Sequence, residues 1–141
     1  MDDLRSVDIL LVEDNPADAR IVTDYFKSSK INIKHVTDGS KALDYIYQKE
    51  DYENASLPDI IILDINLPRL GGMAVLKTIK KDKNLKRIPV IVFGTSGDSK
   101  EVKNTYKYDA NCYIIKPLDY DHFDIVLGCI EKFWINIATI P

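Results

Sequence analysis

Residues 58–68 read PDIIILDINLP, an apolar run that ends in a carboxylate and is followed by a proline turn. The unbroken branched run at 60–63 is typical of a strand that is buried on both faces, as in a parallel sheet. Asp64 stands at the carboxyl end of this predicted strand. In open α/β sheets, ligands bind outside the carboxyl ends of the strands. We therefore expect Asp64 to carry the function of the chain.

The composition indicates an ordinary globular protein. The chain has 141 residues, of which 45% are hydrophobic and 29% charged, and its net charge is −3. We predict one domain over 1–141, with a core at about 7–135 and a short tail at 136–141. This charge gives no basis for a nucleic-acid surface, and no apolar run is long enough for a membrane span. The acidic N-terminus does not resemble a signal peptide, and Cys112 and Cys129 lie in apolar segments as predicted buried thiols, so we expect a cytoplasmic location.

Hydrophobic periodicity predicts five strands that alternate with five helices. The strands are expected at 7–12, 31–36, 60–63, 90–93 and 111–115. The helices are expected at 17–27, after the turn at 38–40, around 73–79, at 100–108 and at 119–134. Such alternation predicts right-handed βαβ units and a parallel sheet covered on both faces. The fold class is therefore α/β: a single flavodoxin-like (βα)5 domain, doubly wound, with strand order 2-1-3-4-5.

Three acids follow two strands that this order makes neighbours. Glu13 and Asp14 come after the first strand and Asp64 after the third, so their carboxylates are expected to converge. Like charges at such distances need a cation or a proton, and oxygen ligands suit Mg²⁺. Lys116, after the fifth strand, brings a positive charge to the same edge. Each residue alone is explained by capping or by a solvated surface, but together they predict a phosphoryl acceptor.

These residues resemble the response-regulator receiver domain of two-component signalling, over nearly the whole chain. The matching set is Glu13-Asp14, Asp64, Pro68, Gly72 and Lys116-Pro117. The loop before Pro58, the segment 84–89 (NLKRIP) and the tail from Phe133-Trp134 look like the single-domain regulators that accompany phytochrome-type sensor kinases.

The resemblance implies a set of roles. Asp64 would accept a phosphoryl group from the phosphohistidine of a sensor histidine kinase, and Glu13 and Asp14 would bind Mg²⁺ with it. The backbone carbonyl of Asn66 would complete the protein ligands of the metal. Lys116 would pair with the phosphoryl oxygens. The same resemblance implies a cis Lys116-Pro117 peptide bond and makes Tyr113 the aromatic residue that changes rotamer on activation.

One position departs from the family pattern. The family has a Ser or Thr at the end of the fourth strand, where it bonds the phosphoryl group, but this chain has Gly94 there and Thr95 next. A shift of one residue along a strand turns a side chain to the opposite face. Thr95 therefore serves as a phosphoryl contact only if the strand is distorted at Gly94. Otherwise the coupling of Asp64 to Tyr113 is expected to be weak.

Two functions remain open from the sequence, and a third is disfavoured. The first is a stand-alone receiver that signals to a downstream protein through the face of the fourth helix, fifth strand and fifth helix (α4–β5–α5). The second is a receiver-fold binding module with weak phosphorylation-driven switching, motivated by Gly94. A homodimer through that face or the C-terminal tail is expected if Phe133 or Trp134 is exposed. An enzyme is disfavoured, because Asn66 stands where an aspartate phosphatase needs a second Asp.

Overall fold

Five parallel strands form one sheet in the order β2-β1-β3-β4-β5, which confirms the predicted topology. The computed structural model describes residues 6–27 and 30–141. The strands are β1 (Val7–Val12), β2 (Ile31–Val36), β3 (Ile60–Asp64), β4 (Val90–Gly94) and β5 (Cys112–Ile115). The fifth strand begins at Cys112, one residue later than predicted. The side chain of Asn111, just before it, accepts a hydrogen bond from the Val90 N–H at 2.8 Å.

The helices follow the strands in the predicted alternation. They are α1 (Pro16–Tyr25), α2 (Gly39–Ile46), α3 (Gly72–Lys81), α4 (Ser99–Lys107) and α5 (Tyr120–Ile130). A 3₁₀ turn (Glu50–Tyr52) lies in the connection between α2 and β3, and a π-helical segment (Glu131–Ile137) continues α5. Four helices begin at an Asn or Asp side chain that accepts from first-turn N–H groups: Asn15, Asp38, Asp98 and Asp119.

The core lies on both faces of the sheet. Along β1, Leu10 and Val12 pack in a cluster with residues of α2 and α3, whereas Ile9 and Leu11 pack with residues of α1 and α5. All residues of β3 are buried, because this central strand is covered on both sides. Each fully buried aliphatic side chain contributes roughly 1.5–3 kcal/mol to folding. The sheet therefore fixes the position of Asp64 at the end of a strand that is buried throughout.

The helix α4 is attached to the sheet differently from the others. Its only buried residue is Thr105, as expected from its polar sequence. Polar bonds join it to β5: the Tyr106 hydroxyl accepts from the Tyr113 N–H at 3.0 Å, and Glu101 accepts from the Tyr113 hydroxyl. The position of α4 therefore depends on Tyr113 rather than on a large apolar contact.

Two further expectations have clear outcomes. Cys112 is half-buried, but Cys129 is exposed on α5, so the prediction that both thiols are buried is wrong for Cys129. The apolar character of this segment does not imply burial, because α5 also presents apolar side chains such as Ile125 to solvent. Among residues 6–27 and 30–141, no helix combines the length and apolar character that crossing a membrane requires.

Candidate functional site at the carboxyl edge of the sheet

The structure brings together the three acids that the sequence singled out. Val12 and Leu63 are paired in the register of β1 and β3, so Glu13, Asp14 and Asp64 leave the sheet side by side. Carboxylate oxygens of these three residues all lie within 4.8 Å of one another. Glu13 and Asp64 are only 2% and 4% exposed, while Asp14 is exposed to solvent. The cluster thus has two buried acids and one at its mouth.

Lys116 lies against the two buried acids. Its ammonium is 2.8 Å from Glu13 Oε1 and 3.2 Å from Asp64 Oδ2, and its backbone N–H donates to the Gly94 carbonyl. Burial alone lowers the pKa of Lys116, but the hydrogen bond and charge of Glu13, with the charge of Asp64, outweigh it, so the pKa is raised. Burial raises the pKa of Glu13 to about 7, although its bond to Lys116 acts in the opposite direction.

Two residues that contact this cluster were missed by the sequence argument. Asp18 on α1 places Oδ2 3.1 Å from the Lys116 ammonium. His35 on β2 lies with Nε2 2.7 Å from the carbonyl oxygen of Glu13, which can only accept, so Nε2 carries the proton. An acid in the first turn of a helix is ordinary, because it complements the helix dipole, and a lone histidine on an edge strand has no distinctive pattern. Only the three-dimensional contacts identify these two residues.

Backbone groups hold Asp64 in place. The Asn66 N–H donates to Asp64 Oδ1 at 2.9 Å. Gly72, at the start of α3, packs against the chain after β3: a Cβ there would overlap the Asp64 carbonyl oxygen and lie 2.6 Å from the Ile65 Cα. Gly71, with φ of 79°, adopts the left-handed conformation that suits glycine. The predicted role of the Asn66 carbonyl as a metal ligand stays a prediction.

Thr95 lies at the rim of the same pocket. It is exposed, and its hydroxyl accepts a hydrogen bond from the Asn66 side-chain amide at 3.1 Å. Gly94 is the last residue of β4 and is buried. Thr95 is therefore connected to the pocket through the side chain of Asn66. Its contact with a phosphoryl group stays a prediction.

Tyr113 occupies the space beside Gly94. Its hydroxyl lies 2.7 Å from the Ser96 carbonyl oxygen and 3.0 Å from Glu101 Oε1. A Cβ on residue 94 would overlap the hydroxyl oxygen and Cζ of the ring and lie 2.7 Å from its Cε2. Burial and the bond to Glu101 raise the pKa of Tyr113 to about 12. The missing side chain at Gly94 is thus what admits the tyrosine ring.

The expectation of a cis bond before Pro117 is wrong, because none of the described peptide bonds is cis. The trans isomer is the intrinsically favoured one for a bond before proline. With this bond trans, the Lys116 ammonium still lies 2.8 Å from Glu13, and Leu118 after Pro117 is fully exposed.

The donor set fits a divalent cation. Three carboxylates face one another, and Lys116 supplies one positive charge against them. Hard oxygen ligands of this kind, one of them open to solvent, match the preference of Mg²⁺ and Mn²⁺ for carboxylates and water. The residues present are therefore suited to hold such an ion at Glu13, Asp14 and Asp64.

Comparisons with known proteins agree with this geometry. The family model of the response regulator receiver domain matches residues 9–126. The response regulator Rcp1 of Synechocystis sp. is 42% identical over 136 residues, which cover 94% of this chain and 92% of Rcp1.

Two solved structures are similar over nearly their full length. A phosphorylated cyanobacterial phytochrome response regulator, RcpA, has a TM-score of 0.92 and 40% identity, covering 96% of this chain and 99% of its own. The Mn²⁺-bound form of Rcp1 has a TM-score of 0.87 and 39% identity, covering 96% and 99%. With the five-stranded order and the converging acids, these matches show that the chain belongs to the response regulator receiver domain family.

Proposed function

We propose that this chain accepts a phosphoryl group on Asp64 from a partner sensor histidine kinase, with Mg²⁺, and signals through a protein-interaction face. The observation that carries the proposal is the position of Asp64, which lies inside a cluster of acids with Lys116 3.2 Å across from it. Two similar structures support it: RcpA was solved in a phosphorylated form and Rcp1 in a Mn²⁺-bound form.

The chemistry follows from the charges in the pocket. A carboxylate oxygen of Asp64 attacks the phosphorus atom, an O–P bond forms, and the P–N bond to the kinase histidine breaks with its electron pair going to the imidazole. Glu13, Asp14 and Asp64 would hold the cation, with the Asn66 carbonyl, and a bound cation neutralises charge on the transferring oxygens. The ammonium of Lys116 stabilises the same oxygens from the other side. Self-hydrolysis of the product is not turnover of a separate substrate, so the proposed role is a regulator and not an enzyme.

The α4–β5–α5 face is the proposed exit for the signal to a downstream protein. It carries exposed apolar side chains on each element and on the loop between β5 and α5: Tyr106, Ile115, Leu118, Tyr120 and Ile125. Such a patch is typical of a protein-binding surface. Phe133 in the π-helical segment is 52% exposed. An exposed aromatic side chain at this position favours a second copy of the chain as a further partner. A cytoplasmic location is part of this proposal.

Acetyl phosphate with Mg²⁺ tests the acceptor directly. Mass spectrometry of the intact protein and its peptides is expected to find one phosphoryl group, located on Asp64. No adduct is expected to form when the metal is chelated before acetyl phosphate is added. Asp64→Asn is expected to form no adduct. Asp24→Asn is the matched control, since Asp24 lies on the exposed side of α1 in an ion pair with Arg20. An equal adduct on Asp64→Asn, or none on the wild type, contradicts the proposal.

The packing of Tyr113 over Gly94 supports the second candidate, a receiver-fold binding module with weak phosphorylation-driven switching. The ring already fills the space that a hydroxyl-bearing side chain at position 94 would take. Its bonds to Ser96 and Glu101 hold it there. This candidate is favoured if phosphorylation occurs but changes neither oligomeric state nor partner affinity.

A further inference from the structure

Every donor of the Lys116 ammonium is engaged by an acid. Its distances are 2.8 Å to Glu13, 3.1 Å to Asp18 and 3.2 Å to Asp64, and its side chain is only 13% exposed. An ammonium group has three N–H donors. A phosphoryl oxygen can therefore gain a bond from Lys116 only when one of these acids gives its bond up.

Asp18 differs from the other two acids. Glu13 and Asp64 belong to the carboxylate cluster that suits a cation, whereas Asp18 lies outside it. A cation at that cluster would compensate the charge of Glu13 and Asp64 and leave Asp18 as the remaining anion at Lys116. The first turn of α1 holds Asp18 in position, because Asn15 Oδ1 accepts from the N–H groups of Ala17 and Asp18 at 2.9 and 3.1 Å.

We propose that Asp18 is a positioning residue that holds the Lys116 ammonium on the α1 side of the pocket, in competition with phosphoryl oxygens at Asp64. The inference rests on the proposed function, because without a phosphoryl group on Asp64 there is no competitor. Its consequence is that Asp18 slows phosphoryl transfer: Lys116 must leave Asp18 before it stabilises the charge on the transferring group. Removing this carboxylate should therefore accelerate the reaction.

The rate of acyl-phosphate formation from acetyl phosphate and Mg²⁺ provides the test. In this step an O–P bond to Asp64 forms and the P–O bond to acetate breaks, with acetate leaving as the anion. Asp18→Asn is expected to raise the rate about fivefold, the factor that corresponds to a partly exposed ion pair. Asp18→Glu retains a carboxylate and should stay within about twofold of wild type on the same scale. Asp24→Asn removes the same charge from the outer face of α1 and should leave the rate unchanged.

High salt distinguishes release of Lys116 from a long-range effect of the lost charge on acetyl phosphate, the anionic phosphoryl donor. Between about 0.1 M and about 1 M salt the Debye length falls from about 10 Å to about 3 Å, so a long-range effect disappears. The gain in Asp18→Asn is expected to persist, since the Lys116 contact is short and mostly shielded from solvent. A gain that vanishes at high salt, or an Asp18→Asn rate equal to or below wild type, overturns the role of Asp18. No adduct on wild-type protein would instead overturn the proposed function itself.

Discussion

The pocket has an acceptor side, formed by Glu13, Asp14, Asp64 and Lys116, and a reading side, formed by Gly94 and Tyr113. Different features of the chain determine these two sides. On the acceptor side, Asp64 and Lys116 are joined by a short ion pair inside a cluster of acids. On the reading side, Gly94 stands where the family resemblance implies a Ser or Thr, and the ring of Tyr113 occupies the space beside it. The acceptor side depends on where strands end, while the reading side depends on one missing Cβ. We therefore expect acceptance of a phosphoryl group and its conformational reading to be separable in this chain.

The largest expected effect breaks the acceptor side. Lys116→Met leaves Glu13 and Asp64 buried without their counter-charge. It also removes the group that we propose stabilises the transferring oxygens. The rate of Asp64 phosphorylation by acetyl phosphate should fall about 100-fold, as when one preorganised donor is lost from an active site. Lys103→Met, an exposed change on α4, is the matched control and should react as wild type. A Lys116→Met rate close to wild type would show that this ammonium takes no part in the transfer.

The next effect is a dependence of metal binding on pH. Burial raises the pKa of Glu13 to about 7, so below that pH a proton competes with the cation for this carboxylate. The affinity for Mg²⁺, measured by calorimetry, should weaken by about tenfold per pH unit below 7. Glu13→Gln should bind Mg²⁺ weakly and lose this part of the pH dependence.

The raised pKa of Glu13 also determines the direction in which the stability of the protein changes with pH. The pKa of Glu13 is about 7 in the folded state and 4.5 for the free side chain, so the folded state binds more protons between pH 4.5 and about 7. Its contribution is fully present below 4.5 and is lost as the pH rises to about 7. The metal-free protein should therefore become less resistant to urea over this interval, and Glu13→Gln should show a smaller change. An opposite slope that is unchanged in Glu13→Gln would contradict the burial argument.

The next prediction concerns the contact between Gly94 and the Tyr113 ring on the reading side. In Gly94→Ser the new Cβ overlaps the Tyr113 hydroxyl, so the ring must leave Ser96 and Glu101. The pKa of Tyr113, now about 12, should fall towards its ordinary value, as measured by ultraviolet titration. Gly97→Ser is the control, since a Cβ there meets only the Ile115 Cδ1 at 3.2 Å. An unaltered Tyr113 pKa in Gly94→Ser would mean that the ring does not depend on the glycine.

The smallest effect concerns the hydroxyl alone. Tyr113→Phe keeps the ring over Gly94 but loses the bonds to Ser96 and Glu101. The free energy of unfolding should fall by about 1 kcal/mol, the usual net value of a protein hydrogen bond. Tyr120→Phe, at a side chain that is 65% exposed, should be neutral in the same urea titration. Equal stability of the two variants would indicate that the hydroxyl contacts do not hold α4.

Most of the acceptor side could be predicted, because its residues stand directly after strands whose order in the sheet could be inferred. Once the apolar run before Asp64 is recognised as a central parallel strand, the neighbouring strand end brings Glu13 and Asp14 to it. Register along a buried strand is strongly specified, since a slip of one residue would turn every side chain to the other face. Lys116 followed in the same way from the end of β5.

What escaped prediction depends on side-chain contacts between distant elements. Asp18 resembles any acid in a first turn, yet it meets Lys116 from another part of the chain. The sequence showed that Gly94 lacks a hydroxyl, but not that a ring from β5 fills the vacated space. The isomer of the Lys116–Pro117 bond was expected wrongly from the resemblance, because local sequence leaves the two isomers close in energy.

The separation of the two sides is tested most directly by nuclear magnetic resonance of the protein before and after phosphorylation with acetyl phosphate and Mg²⁺. The Asn66 amide, which donates to Asp64, reports on the acceptor, and the ring of Tyr113 reports on the reading side. For the separation of acceptance from reading, which belongs to the second candidate function, we predict a large shift of the Asn66 amide resonance with the Tyr113 ring resonances unchanged. An unshifted Asn66 amide, or a Tyr113 ring that shifts together with it, would contradict the account.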